Sequence, residues 1–187
     1  AVKWFESKLS ASINEINDLF PKYRLSEALM TVYRLFWDEF SAWYLEVIKP
    51  EYQQPIDKAT YEATLSFFES LLKLLHPFMP FITEELYHAV KERDEKDSIM
   101  VSQMPKAEAF DNDLIVDFET AKQVVANIRN IRQAKNIANK ATLELDIVSS
   151  DAKLLESVIC KIANVSIVKT SEKPSAAATF IVNTTEF

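Results

Sequence analysis

The sequence predicts a mainly α protein, a helical bundle followed by a small β-α-β-β unit. Three observations carry that prediction. Apolar residues recur at intervals of three and four over most of the first 138 positions, the spacing that lines one helical face. The breaks between those runs are marked by proline, because the chain has seven prolines and no glycine. From about residue 141 the apolar period changes to two, the mark of half-buried strands. The expected division is a helical domain over 1–140 and an α/β unit over 141–187.

Each element has a local reason. Phe5, Leu9, Ile13 and Ile16 make one face of a helix from Val2 to Leu19, which Pro21 interrupts. A second helix spans Ser26 to Lys49, with Ser26 as N-cap, a stripe of Leu29, Val32, Phe36, Phe40, Tyr44 and Val47, and Pro50 as its stop. Trp37 is expected to be buried. The third helix opens after Pro55 with Asp57 as cap and presents Tyr61, Leu65, Phe68, Leu72 and Leu75 on one face. HPFMPF (76–81) then turns the chain: Pro77 disfavours helical geometry at His76, and Pro80 suits the first position of a helix running to about Glu92. Phe78, Met79, Phe81 and Ile82 are expected to fill the wedge of that corner. KERDEKD (91–97) reads as charged surface, and IMVSQMP (99–105) as an extended segment. A further helix starts at Asn112 or Asp117 and ends near Ala138. ATLELDIVS, Val165–Lys169 and Ala177–Val182 read as strands, Asp151–Ala163 as a helix, and SEKPSAAA as a turn-like link.

Composition excludes several functions. The single cysteine, Cys160, allows neither an internal disulfide nor a cysteine zinc cluster, and it reads as a core residue. His76 and His88, the two histidines, do not make a histidine metal site by themselves. Without glycine there is no glycine-rich phosphate loop. No triad or catalytic acid pair emerges, so no catalytic and no metal residue is assigned. No apolar run reaches the roughly 20 residues that span a bilayer. A reduced, cytoplasmic monomer is the default. The absence of an initiator methionine and the mid-pattern ends read as cuts in a longer polypeptide.

The net charge of −7 argues against a wholly basic nucleic-acid module but leaves room for a local basic face. One such run stands out. From Thr120 to Leu143 there is no acid, but there are Lys122, Arg129, Arg132, Lys135 and Lys140. With Val124, Ile128 and Ile131 on the apolar side, Lys122, Arg129, Lys140 and Asn136 cluster on the polar side, flanked by Arg132. Flexible cations beside amides suit phosphate contact. A solvated polar face that complements the helix dipole fits the same pattern. A weaker second patch combines Lys3, Lys8, Lys22 and Arg24 with Phe20 and Tyr23, an interleaving that can clamp unpaired nucleotides. Burial is the competing role for Phe20.

Several motifs carry a family resemblance. YRLSEALMTVYRLFWDEFSAWYLEVIKP (23–50) closely resembles the helix of the valyl-tRNA synthetases that ends in a tryptophan-tyrosine-leucine-glutamate and lysine-proline signature. LLKLLHPFMPFITEELY (71–87) is similar to the histidine-proline, methionine-proline-phenylalanine motif of those enzymes, and SIMVSQMPK (98–106) to the segment that follows, with Met104 where a tryptophan is usual. VVANIRNIRQAKNIA (124–138) resembles their next helix. Class I synthetases for isoleucine and leucine share the helical domain, but the tryptophan-tyrosine-leucine run favours valine. The resemblance implies a helical bundle of the class I synthetase anticodon-binding type. It implies tRNA(Val) as partner and positioning of its anticodon arm as the role. Catalysis with ATP and Mg would lie in upstream catalytic and editing domains, and a C-terminal coiled-coil arm would complete the polypeptide. A helical protein-interaction module with no RNA contact is the alternative reading, supported by the acidic total charge.

Overall fold

The computed structural model describes residues 1–94, 96–147, 155–169, 178–183 and 185–187. The expectations for Glu95 in the charged stretch, Val148 and Ser149 of the first strand, 151–154 of the next helix, 171–177 of the link and Ala177 of the last strand lie outside the described residues. The chain is mainly helical, with the small strand-bearing unit last. It forms two compact units, Ala1–Asp111 and Asn112–Phe187, so the long basic helix groups with the strands although the sequence reading divides the chain at 140/141.

In the first unit, α1 (Val2–Leu19) buries Trp4, Phe5, Leu9, Ile13 and Ile16, as its spacing predicts. The Phe5 ring lies 5.0 Å from Tyr44, 5.1 Å from Phe67 and 5.2 Å from Phe40, an aromatic cluster at the centre of the unit. Buried Ser7 and Ser10 accept backbone N–H bonds from Asp111 and Glu108, which pins the extended segment after residue 102 against α1.

The second helix is continuous but not uniform. α2 (Leu25–Arg34) leads into a π-helical stretch, Leu35–Tyr44, and then α3 (Leu45–Ile48). Arg24, not Ser26, is the N-cap. The wider turn moves the buried stripe to Leu35, Phe40 and Tyr44 and leaves Trp37 60% exposed, against the expectation of burial. A 100° step per residue cannot foresee that change of face. Asp57 caps α4 (Lys58–Leu75) as predicted, accepting from Thr60 N–H at 2.9 Å. Its buried face carries Phe67, Leu71, Leu72 and Leu74, rotated from the expected one, so Tyr61 faces solvent.

At the proline corner, His76 is helical despite the following Pro77, and its N–H bonds Leu72 O. α5 (Pro80–Val90) starts on its proline as expected. The wedge is filled by Thr83, which is fully buried, and Phe81 is 90% exposed; Met79 and Ile82 are exposed too. Phe78 alone of the four turns inward, 6.1 Å from Phe20. The Thr83 hydroxyl has one proton and lies 2.8 Å from Met79 O, so it donates there and His76 Nδ1–H donates to it at 2.7 Å. Thr83→Val keeps the shape but removes both bonds, and we expect a loss of about 1–3 kcal/mol in urea unfolding.

The side chain of Arg93, expected at the surface, is only 7% exposed. Its guanidinium lies 3.6 Å over the Tyr87 ring and bonds Glu69 at 2.7 Å. Glu69 also meets Lys73 at 2.8 Å. Burial pushes the Glu69 carboxyl up, but the bonds and charges of Lys73 and Arg93 outweigh it and hold it below the ordinary carboxylate range. A depressed folded value contributes stability above the unfolded value, which is lost as pH falls through the folded one. Glu69→Gln should therefore destabilise at neutral pH, with the gap from wild type closing in acid. A pH-independent gap in denaturant midpoints would contradict this.

Ile99 is buried in a short 3₁₀ turn, Ile99–Val101, where an extended segment was expected.

In the second unit, α6 (Asn112–Ala134) is followed by β1 (Leu143–Ile147), α7 (Glu156–Ala163) and β2 (Val165–Lys169). β1 and β2 pair in parallel from Leu143↔Val165 to Ile147↔Lys169. A separate antiparallel ribbon joins β3 (Ile181–Val182) to β4 (Thr185–Glu186), a strand the alternation did not announce. The Phe180 and Phe187 rings stack at 5.2 Å beyond it.

Candidate nucleic-acid interface

Without glycine, helix ends must use other residues in the left-handed region. α6 ends before Asn136, with φ 53; Asn136 N–H bonds Gln133 O at 3.2 Å and Ile137 N–H bonds Arg132 O at 2.8 Å, a Schellman pair. α7 ends at Asn164, with φ 51. A left-handed residue with a Cβ costs about 1–2 kcal/mol, least for asparagine. The early stop, four residues before the expected Ala138, releases a turn that carries Asn139 and Lys140.

Arg132 holds that turn. It is 3% exposed, and its guanidinium donates to Ala138 O at 3.0 Å, Ala141 O at 2.8 Å, Ala163 O at 3.0 Å and Asn164 O at 3.0 Å. The fork of donors on a planar guanidinium ties together the turn after α6 and the end of α7. The Asn164 amide adds bonds to Asn139 O at 3.3 Å and Lys140 O at 3.1 Å. Four successive carbonyls, 138 to 141, are thus occupied by donors.

The predicted basic face therefore separates into different roles. Arg132 is committed to carbonyls and is not presented to an RNA phosphate; its period-based place on the flank of the polar side gave way to burial by α7, which the sequence does not announce. Arg129 and Lys140 are exposed, as is Lys135. Lys122 bonds Glu119 at 2.9 Å and its ammonium lies 5.7 Å from the Phe118 ring. Gln133, one turn after Arg129, shares its face. With Arg132, Ile137, Asn139, Ile162 and Ala163, these two line an open cleft of about 500 Å³. Gln133, Asn139 and Ile162 escaped the sequence reading, because an amide in a helix or a turn carries no periodic signal and Ile162 approaches only through the fold.

The second predicted patch is spread along α1 and its exit. Lys3 and Lys22 stand 19 residues apart on α1 and its exit, roughly 28 Å at the helical rise. Lys8 pairs with Glu39 at 3.3 Å, Lys22 with Asp18, and Arg24 with Glu27. Phe20 is half-buried, its ring 6.1 Å from that of Phe78.

Among the described residues no group of three or more His, Cys, Asp or Glu side chains is arranged to hold a metal ion.

Residues 2–147 match the family described as the anticodon-binding domain of tRNA ligase. The chain is 56% identical over 188 residues to the valine–tRNA ligase of Parabacteroides distasonis, covering 100% of this chain and 22% of that protein. It is 51% identical over 191 residues to that of Bacteroides thetaiotaomicron, with 100% and 22% covered. With the valine–tRNA ligase of Nitratiruptor sp. the identity is 32% over 178 residues, with 94% and 20% covered. The chain spans about a fifth of the length of these relatives. Since the family match runs from α1 through β1, taking in the aromatic core and the whole of the basic helix, the chain belongs to the family of anticodon-binding domains of tRNA ligases.

Proposed function

We propose that this chain is the part of a valine–tRNA ligase that receives the anticodon arm of tRNA(Val) and holds it for ATP-dependent aminoacylation. The observation that carries this reading is the end of α6: an acid-free run of bases that finishes on a turn pinned by buried Arg132. Exposed cations on a rigid support fix a backbone, and neighbouring amides read exposed bases. Residues 1–140 act as the anticodon-binding domain, and 141–187 as the α/β unit that braces its last helix. The relatives and the tryptophan-tyrosine-leucine run support valine as the amino acid.

The remaining parts belong to the longer polypeptide: catalytic and editing domains and a C-terminal coiled-coil arm. ATP with its Mg is assigned to those parts, because a chain without glycine offers no close backbone cradle for a triphosphate. The parent works in the cytoplasm as a monomer. Among the described residues no helix is long and apolar enough to cross a membrane.

Salt dependence tests the reading. Binding of tRNA(Val) to the parent protein should weaken linearly with log salt, and Lys135→Ala with Lys140→Ala should flatten the slope by about one to two phosphate equivalents. A slope that these changes leave intact removes the basic turn from the interface. A partner bound through the chain with no phosphate-like slope, and no dependence of tRNA binding on it, would establish the protein-interaction alternative.

A further inference from the structure

We infer that the groove where 103–107 runs beside α1 is a subsite for one unpaired nucleotide of the bound RNA, with the amides of Asn14, Asn17 and Gln103 on its base edge and Lys106 on its phosphate. This deepens the RNA-binding reading, rests on it, and adds a contact on the first unit. Asn14 and Asn17 are exposed and three residues apart on α1, so they share a face. The Ser7 and Ser10 hydroxyls accept from Asp111 and Glu108 N–H, which keeps the extended segment alongside the same helix. The two asparagines and the side chains of that segment line one open groove of about 580 Å³, within the roughly 300–1,000 Å³ of small-ligand sites.

The lining matches a nucleotide better than it matches a protein surface. Each carboxamide offers two donors and an acceptor, which is what the Watson–Crick edge of an unstacked base needs. Met104 is 46% exposed, and its polarisable thioether, with Pro105, gives an apolar wall for a ring face. Lys106 supplies a mobile cation for a phosphate oxygen. A protein partner would ask for aromatic or aliphatic anchors at the centre of its footprint, where this groove has amides. Among the described residues, the side chains of Asn14, Asn17, Gln103 and Lys106 make no hydrogen bond or ion pair, and the N–H groups of Gln103, Met104, Lys106 and Ala107 donate to no acceptor. The fold has therefore not already consumed these groups. Of the carboxylates next to the asparagines in sequence, Glu15 lies 3.0 Å from the Thr31 hydroxyl and Asp18 pairs with Lys22. Glu108 is exposed two residues after Lys106, so a cation and a carboxylate share this stretch and the affinity rests chiefly on the amides.

The test measures amide exchange in the full-length parent protein with and without tRNA(Val), and the tRNA affinity of two variants. The N–H groups at 103–107 should exchange fast in the free protein and roughly tenfold more slowly, or slower still, with tRNA bound. Asn14→Ala combined with Asn17→Ala keeps the fold, since alanine favours a helix. It should weaken tRNA binding about tenfold at an unchanged salt slope, because two neutral hydrogen bonds are lost. Lys106→Ala should weaken binding about threefold and flatten the slope by about one. Protection at 103–107 before tRNA is added would mean that a protein segment fills the groove, and it would overturn the subsite. Unchanged affinity in both variants, or no protection at 103–107 while tRNA protects 135–141, would overturn the subsite and leave the RNA-binding reading standing. No tRNA-dependent protection anywhere in these 187 residues would overturn both.

Discussion

Replacing Arg132 with methionine is expected to destabilise the protein by about 3–5 kcal/mol, the sum over several charge-assisted bonds of about 1.5–3 kcal/mol each less what water recovers. The variant retains the apolar stem and loses the fork. The carbonyls of Ala138, Ala141, Ala163 and Asn164 each then lose a donor, although Ala138 O still accepts from Ala141 N–H and Asn164 O from Leu143 N–H. Each buried acceptor without a donor costs about 1–3 kcal/mol unless the chain opens to water. Opening is the easier course here because the turn 138–141 is exposed on its other side, so the loss appears first as local melting. Arg132→Lys keeps a cation but presents its donors from one point, and it should recover part of the stability, leaving a deficit of about 2 kcal/mol. Urea unfolding measures the totals, and amide exchange at 137–141 and 163–165 locates them. Protection unchanged there in Arg132→Met would mean that the guanidinium does not hold the turn.

Arg129→Glu acts on the neighbouring side chain with the opposite signature. Arg129 is exposed on α6, one turn before Gln133, so its reversal should leave folding within about 1 kcal/mol, the scale of exposed charged contacts. In the parent enzyme it should raise the tRNA concentration needed for half-maximal aminoacylation by about tenfold or more and reduce the salt slope by about one. Valine-dependent pyrophosphate exchange, which needs no tRNA contact, should stay close to wild type. An unchanged tRNA requirement would remove Arg129 from the interface. Together the two arginines, three residues apart, are expected to separate stability from binding: one variant unfolds the turn, the other leaves it folded and unable to hold its ligand.

That separation marks where sequence reasoning ends. Helix existence was legible wherever an apolar period of three to four met a proline or a cap, since both act within a few residues: α1 runs Val2–Leu19 as expected, Asp57 caps α4, and Pro80 opens α5. β1 and β2 were legible from alternation. The motifs that resemble the valyl-tRNA synthetases pointed to the family that residues 2–147 match.

Facing was less accessible. The π-helical stretch turned Trp37 outward, Thr83 took the corner that Phe81 was expected to fill, and α7 covered Arg132. By itself, then, the sequence determined the fold class, most helix starts and the acid-free run of bases, because these depend on local periodicity, capping and composition. Only the tertiary structure decided which of those bases face solvent and that Gln133, Asn139 and Ile162 meet around a cleft, because burial depends on partners from distant parts of the chain.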